Sequence, residues 1–194
     1  MVGPSKQFDK QETLEKAMKV FWERGYEATS IQDLVSGMGI NRASLYQTYG
    51  NKHDLYMACL IRYIDNSVQQ LEQLLDLPGS AMGNLQKTFK SFIEHSLVSD
   101  SQGCFINNTA VELGPHDQQL AGILRDSWQQ FESIFLRLVQ RAKKNNELGP
   151  DSNEEQLARL LNTSLQGLMV KTKANTAKEQ LFEVVDTLFD LIRK

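Results

Sequence analysis

From Leu14 to Ile192 the apolar residues recur every three or four positions, and the runs stop at glycine, proline or short polar stretches. That spacing places apolar side chains on one face of a helix, whereas a half-buried strand would alternate every second residue. Strand-like alternation is absent, as are internal repeats and low-complexity tracts. The chain is therefore expected to be all-α. Three of the four prolines, Pro78, Pro115 and Pro150, stand where the helical pattern halts, because a proline inside a helix removes a backbone donor and clashes with the preceding turn.

Nine helices are predicted. Asp9, with Glu12 three residues on, can cap a first helix carrying Leu14, Ala17, Met18 and Phe21, which Gly25 ends. Thr29 is expected to cap a short second helix bearing Ile31, Leu34 and Val35, closed by Gly37 and Gly39. Asn41 caps a third, Arg42 to about Thr48, before Gly50-Asn51. The fourth runs unbroken from Asn51 to Leu75, roughly 37 Å at 1.5 Å per residue. Leu77-Pro78-Gly79-Ser80 breaks it, and Leu85, Phe89, Phe92, Ile93 and Leu97 mark the fifth. A loop is expected over Ser99 to Gln102, then a short sixth helix from about Gly103 to Leu113 and a seventh from about Asp117 to Asn145. Two more follow, from about Asn153 to Asn175 and from about Ala177 to Arg193.

Charge points to no polyanionic partner. The net charge is −3; residues 1–60 hold seven basic and seven acidic side chains, and the remainder 14 basic against 17 acidic. No apolar run approaches the ~20 residues of a membrane span, and Met1 to Lys10 lacks the apolar core of a signal peptide. A cytoplasmic protein without a membrane partner is expected. Cys59 and Cys104 are too few for a disulfide framework and lack metal-ligand spacing. His95 and His116 form no helical metal pair. No metal site, catalytic site or cofactor is predicted.

The informative window is Thr29 to Leu55. Two short helices joined by a glycine-containing turn, the second small and polar, make a helix-turn-helix. Ile31, Leu34 and Ile40 are expected to hold the pair against the first helix, and Ala43 to let the two cross closely. Arg42, Ser44, Gln47 and Thr48 then face a groove, while Tyr46, Tyr49 and Lys52 reach phosphates. Arg and Gln suit the edges of guanine and adenine; Tyr, Ser and Lys suit positioning.

The run T-S-I-Q-D-L-V-S-G-M-G-I-N-R-A-S-L-Y-Q-T-Y-G-N-K-H-D-L resembles the DNA-binding segment of the TetR/AcrR family of bacterial one-component regulators. Thr29, Ile31, Gly39, Ile40, Leu45, Tyr46, Tyr49, Lys52 and Leu55 carry the match, as do Ala17, Phe21 and Gly25 upstream. It covers about residues 10–56, and beyond that rests on length and helix count. Val35 and Met38 stand where alanines are usual, and Gln47-Thr48 differ from the commoner His, so base preference does not carry over.

The resemblance implies a nine-helix protomer with a DNA-binding domain over residues 1–52. The remainder, 53–194, is implied to be a helical domain that binds an effector and dimerises. The DNA-contacting set is Thr29, Arg42, Ala43, Ser44, Tyr46, Gln47, Thr48, Tyr49 and Lys52. A small-molecule pocket is expected from Cys104, Asn107, Asn108, Glu112, Trp128, Phe131 and Phe135, with Cys104 near a helix start where a thiolate is favoured and electrophiles can be sensed. The last two helices should pair with a second copy through Leu161, Leu165, Leu168, Val185, Leu188 and Phe189. The expected function is a ligand-responsive regulator, a repressor released from a near-palindromic operator in double-stranded DNA by a small molecule or electrophile. The competing reading is an all-helical cytoplasmic enzyme with a vestigial helix-turn-helix-like N-terminus. It would need a nucleophile-base pair, paired carboxylates or a metal cluster, and the sequence offers none.

Overall fold

The computed structural model describes residues 9–98 and 103–193. Among them are nine α-helices and no strand: α1 (Lys10–Arg24), α2 (Ile31–Met38), α3 (Arg42–Tyr49), α4 (Lys52–Asp76), α5 (Ala81–Val98), α6 (Phe105–Glu112), α7 (Gln118–Lys144), α8 (Glu154–Lys173) and α9 (Lys178–Ile192). The loop expected over Ser99 to Gln102 lies outside the described residues. None of the helices is long and apolar enough to cross a membrane.

The chain divides into two compact units, the first ending at Tyr63 and the second beginning at Ile64. The division falls inside α4 rather than at its start near residue 52. The first turns of α4 bury Leu55, Tyr56, Cys59 and Leu60 in the first unit. There Tyr56 packs edge-on against Phe21 at 4.9 Å, and the Cys59 thiol donates to the Leu14 carbonyl.

Local caps set the helix starts in the first unit. The Asp9 carboxylate accepts from the Gln11 amide at 2.7 Å and closes the N-terminus of α1. At α2 the cap is Ser30, not Thr29. Ser30 Oγ accepts from the Asp33 amide, and the Asp33 carboxylate accepts from the Ser30 amide, a reciprocal capping box. Thr29 is buried instead and its hydroxyl donates to the Gly25 carbonyl at 2.6 Å. Gly39 takes the left-handed conformation (φ +69°) that turns the chain between α2 and α3, which an L-side chain resists. Gly37 sits within α2, where a β-carbon would collide with Val20 of α1, so its absence permits the close α1–α2 approach. Leu34, Met38 and Leu45 form the core between these helices, while Ile31 and Ile40 are only half-buried.

In the second unit Phe89 of α5 meets Phe189 of α9 (5.4 Å, edge-on) and Phe135 of α7 (6.2 Å). The α4–α5 connection is held from the end of α7. Arg141 donates to the carbonyls of Leu75, Leu77 and Gly79. Glu147 accepts from Ser80 Oγ and from the amides of Ala81 and Met82, capping α5 from a distance in sequence. Desolvation pushes the Glu147 pKa up, but these hydrogen bonds and one from Asn145 outweigh it, so the carboxyl sits below its ordinary value. A carboxyl lowered on folding stabilises the protein above its unfolded pKa of about 4.3 and loses that contribution as pH falls through the folded value. Glu147→Ala is therefore expected to cost about 1–2 kcal/mol at neutral pH, as loss of a helix cap does. In urea titrations the difference from wild type should shrink as pH drops below 4.

Candidate nucleic-acid interface

Helix α3 is anchored by one fully buried side chain, Leu45, and turns one side outward. Asn41 caps it by accepting from the Ser44 amide at 2.8 Å, so Ser44 lies half-buried at the cap. Arg42, Ala43, Tyr46 and Gln47 are exposed and Thr48 is half-buried. Ala43 thus faces solvent and is not a spacer in a helix crossing; Gly37 supplies the close approach, on α1. The Arg42 guanidinium stacks over the Tyr46 ring at 5.7 Å and reaches its hydroxyl at 3.4 Å, an i,i+4 pair presented together.

Charge separates this surface from the rest of the unit. Lys16 pairs with Glu12, Lys19 with Glu23, Arg24 with Asp33 and Arg62 with Glu15. Among the described residues Arg42, Lys52 and Lys10 meet no carboxylate. Lys52 lies with its ammonium 4.3 Å from the centre of the Tyr26 ring, at the first turn of α4. The first unit, with eight basic against seven acidic side chains in sequence, therefore keeps the uncompensated cations among its described residues at the starts of α1, α3 and α4.

Two expected contacts point inward. Thr29 is buried, as described above. Tyr49, expected on a phosphate, shares a 2.6 Å hydrogen bond with Thr13 Oγ1 and donates to the Lys10 carbonyl at 3.0 Å, tying the end of α3 to the start of α1. Burial raises the Tyr49 pKa, so the phenol stays protonated at neutral pH. The clasp also brings Lys10 beside α3. Sequence spacing alone gave no sign of it, since the partners are 36 and 39 residues apart. Tyr49→Phe and Thr13→Val should each lower stability by about 0.5–1.5 kcal/mol. The double variant should lose little more than either alone, a coupling that denaturant titration of the cycle measures.

In the second unit Cys104 is the N-cap residue of α6, 8% exposed, in extended conformation. Cys59, by contrast, is wholly buried, and desolvation raises its thiol pKa far above the ordinary range, which suits an inert core residue. Asn107, Phe131 and Phe135 are buried; Asn108, Glu112 and Trp128 are half-buried. Asn107 donates to the Gln166 carbonyl of α8.

The residues expected at a dimer contact are mostly interior. Leu161, Leu165, Leu168, Val185 and Phe189 are buried within their own protomer, and Leu188 is half-buried. The apolar stripes of α8 and α9 are wide, and α5 and α7 cover their centres. What stays outside is Leu160 (45% exposed), Val170 (53%), Val184 (48%) and Leu191 (66%).

An all-α chain with a capped helix-turn-helix, an outward-facing second helix and a separate helical unit defines a DNA-binding regulator. Residues 14–59 match the family described as bacterial regulatory proteins, tetR family, and residues 81–188 match the tetracyclin repressor-like C-terminal domain. The chain belongs to the TetR family. It is 35% identical to the uncharacterized HTH-type transcriptional regulator YezE of Bacillus subtilis, over 98% of this chain and 100% of that one. To the HTH-type transcriptional repressor ComR of Escherichia coli it is 30% identical, over 97% of this chain and 91% of that one. A cysteine mutant of the TetR family transcriptional regulator CifR, solved on a 26-bp double-strand operator, superposes with a TM-score of 0.85 at 27% identity, covering 98% of this chain and all of that chain. Members of this family are ligand-responsive, DNA-binding transcription regulators, and this chain is such a regulator rather than an enzyme.

Proposed function

We propose that this chain is a cytoplasmic repressor that binds a near-palindromic operator as a homodimer and releases it when a small molecule binds its second unit. The observation that carries the reading is the outward row Arg42, Ala43, Tyr46 and Gln47 on a helix whose opposite side is locked by Leu45. N-terminal residues of such a helix read base edges in the major groove. In this reading Arg42 and Gln47 read bases, with Ser44 and Thr48 at the margin of the groove. Tyr46, Lys52 and Lys10 hold phosphates, and Thr29 and Tyr49 support the fold beneath. DNA binding is assigned to the first unit, which ends at Tyr63 rather than at the expected residue 52, and effector binding and dimerisation to the second, from Ile64.

The dimer surface is assigned to the exposed edge of the α8 and α9 stripes. Leu160, Thr163, Gly167 and Val170 recur at three-and-four spacing on α8, and Val184, Leu188 and Leu191 do so on α9. Exposed apolar rows of this kind mark protein contacts. Leu160→Glu combined with Val184→Glu is expected to convert the dimer to monomers without unfolding them, read by analytical ultracentrifugation alongside circular dichroism.

The effector is expected to shift operator affinity roughly 5–150-fold, the usual range of allosteric coupling. α4 runs through both units and is the covalent path for that coupling. The test is enrichment of binding sites from a random-sequence duplex library by the purified protein. Recovery of a site with two related half-sites supports the reading; failure to enrich any sequence at low salt overturns it. With the selected duplex in hand, N-ethylmaleimide tests Cys104. Release by the reagent that a Cys104→Ser variant resists would make the effector an electrophile, and an unchanged affinity would leave it a non-covalent ligand.

A further inference from the structure

The buried polar side chains of the second unit, Ser96, Asn107, Thr109, Ser127, Asn162 and Thr172, are all uncharged. Several are satisfied locally: Ser96 and Thr172 bond each other at 2.7 Å, and Thr109 and Ser127 donate to carbonyls of their own helices. Asn107 and Asn162 do something different. Asn107 of α6 donates to the Gln166 carbonyl of α8 at 3.0 Å, the Gln166 side chain donates to Asn162 Oδ1 at 3.3 Å, and Asn162 donates to the Trp128 carbonyl of α7 at 3.2 Å. The chain of bonds joins three helices and ends at Trp128. There the indole Nε1 is buried and has no hydrogen-bond partner among the described residues.

An unpaired buried donor destabilises a fold, and native proteins seldom keep one without a use. We propose that the Trp128 indole N–H is the hydrogen-bond anchor for the effector, and that the effector is an uncharged, largely apolar molecule carrying an acceptor oxygen such as a carbonyl. This rests on the reading of the second unit as an effector domain. The ligand's chemistry follows from the groups present. An indole only donates, so the ligand brings the acceptor. Among the described residues of the unit no lysine or arginine is buried to receive an anion and no carboxylate is buried to receive a cation, and burying an unpaired charge is prohibitive. The amide chain through Asn162 and Gln166 holds the Trp128 backbone in place, so the donor is oriented before the ligand arrives.

The experiment is a titration of the 15N-labelled full-length protein followed through its two tryptophan indole resonances, Trp22 and Trp128, assigned with Trp22→Phe. Acetophenone supplies the neutral acceptor, cumene the same shape without it, and benzoate the charged counterpart. Acetophenone should move the Trp128 resonance downfield saturably and leave Trp22 in place, with cumene and benzoate giving less than a tenth of the shift. No saturable shift with acetophenone, or equal shifts with all three, overturns the proposal. Trp128→Phe should weaken acetophenone at least tenfold; if that variant does not fold, the wild-type titration decides alone. Retention on the selected duplex separates the two levels. If acetophenone moves the indole but the protein stays bound, the anchor stands and effector-controlled release fails. If it releases the DNA with the indole unmoved, release stands and the anchor is wrong.

Discussion

Arg42→Ala is expected to weaken binding to the selected duplex by roughly tenfold to a hundredfold, the equivalent of about 1–3 kcal/mol for a lost bidentate base contact. The expectation rests on position and on charge. Arg42 occupies the first turn of α3, the end of a recognition helix that approaches base edges, and it is exposed. No carboxylate among the described residues competes for it, unlike Arg24 and Arg62. Stacking on Tyr46 already restricts the guanidinium, so less side-chain freedom is lost on binding. Arg42→Lys should recover little, because an ammonium cannot reproduce the planar two-donor fork. The measurement is a binding isotherm on the selected duplex, on single-base variants and on unrelated DNA at several salt concentrations. A base contact predicts relaxed specificity at one position per half-site. A uniform loss across all sequences, with the salt slope reduced by about one, would instead make Arg42 a phosphate contact.

Phe89→Ala should be the most damaging single change to the fold, costing about 3–5 kcal/mol, the range for deleting a buried phenylalanine ring. Phe89 has no exposed surface and joins α5 to α7 and α9 through its ring contacts with Phe135 and Phe189. Removing it forfeits those edge-on contacts as well as the transfer of the ring from water. Since domains of this size are stable by only about 5–15 kcal/mol, the variant should lose a fifth or more of its margin. Phe89→Leu, which fills much of the space, should cost considerably less. Urea unfolding followed by far-ultraviolet circular dichroism distinguishes the two, and equal midpoints for Phe89→Ala and wild type would show that the cluster tolerates the cavity.

The parts of this protein that its sequence determined are those governed by interactions between residues three or four apart. Asp9 and Asn41 stand as helix N-caps where the pattern places them, because a capping side chain bonds an amide two or three residues away. The helix-turn-helix is legible for the same reason: Gly39, Asn41 and Leu45 each act within one or two turns. The facing of side chains needed the tertiary structure. Periodicity showed that α8 and α9 have wide apolar stripes, but only the packing of α5 and α7 decided that Leu161, Leu165, Val185 and Phe189 go inside and Leu160, Val184 and Leu191 stay out. Tyr49 turned from a phosphate toward Thr13, and Glu147 reached back to cap α5, through contacts between residues dozens of positions apart. A helical repeat specifies that a face exists; which neighbour covers it, and which of its residues are left for DNA, ligand or partner, depends on where the other helices pack.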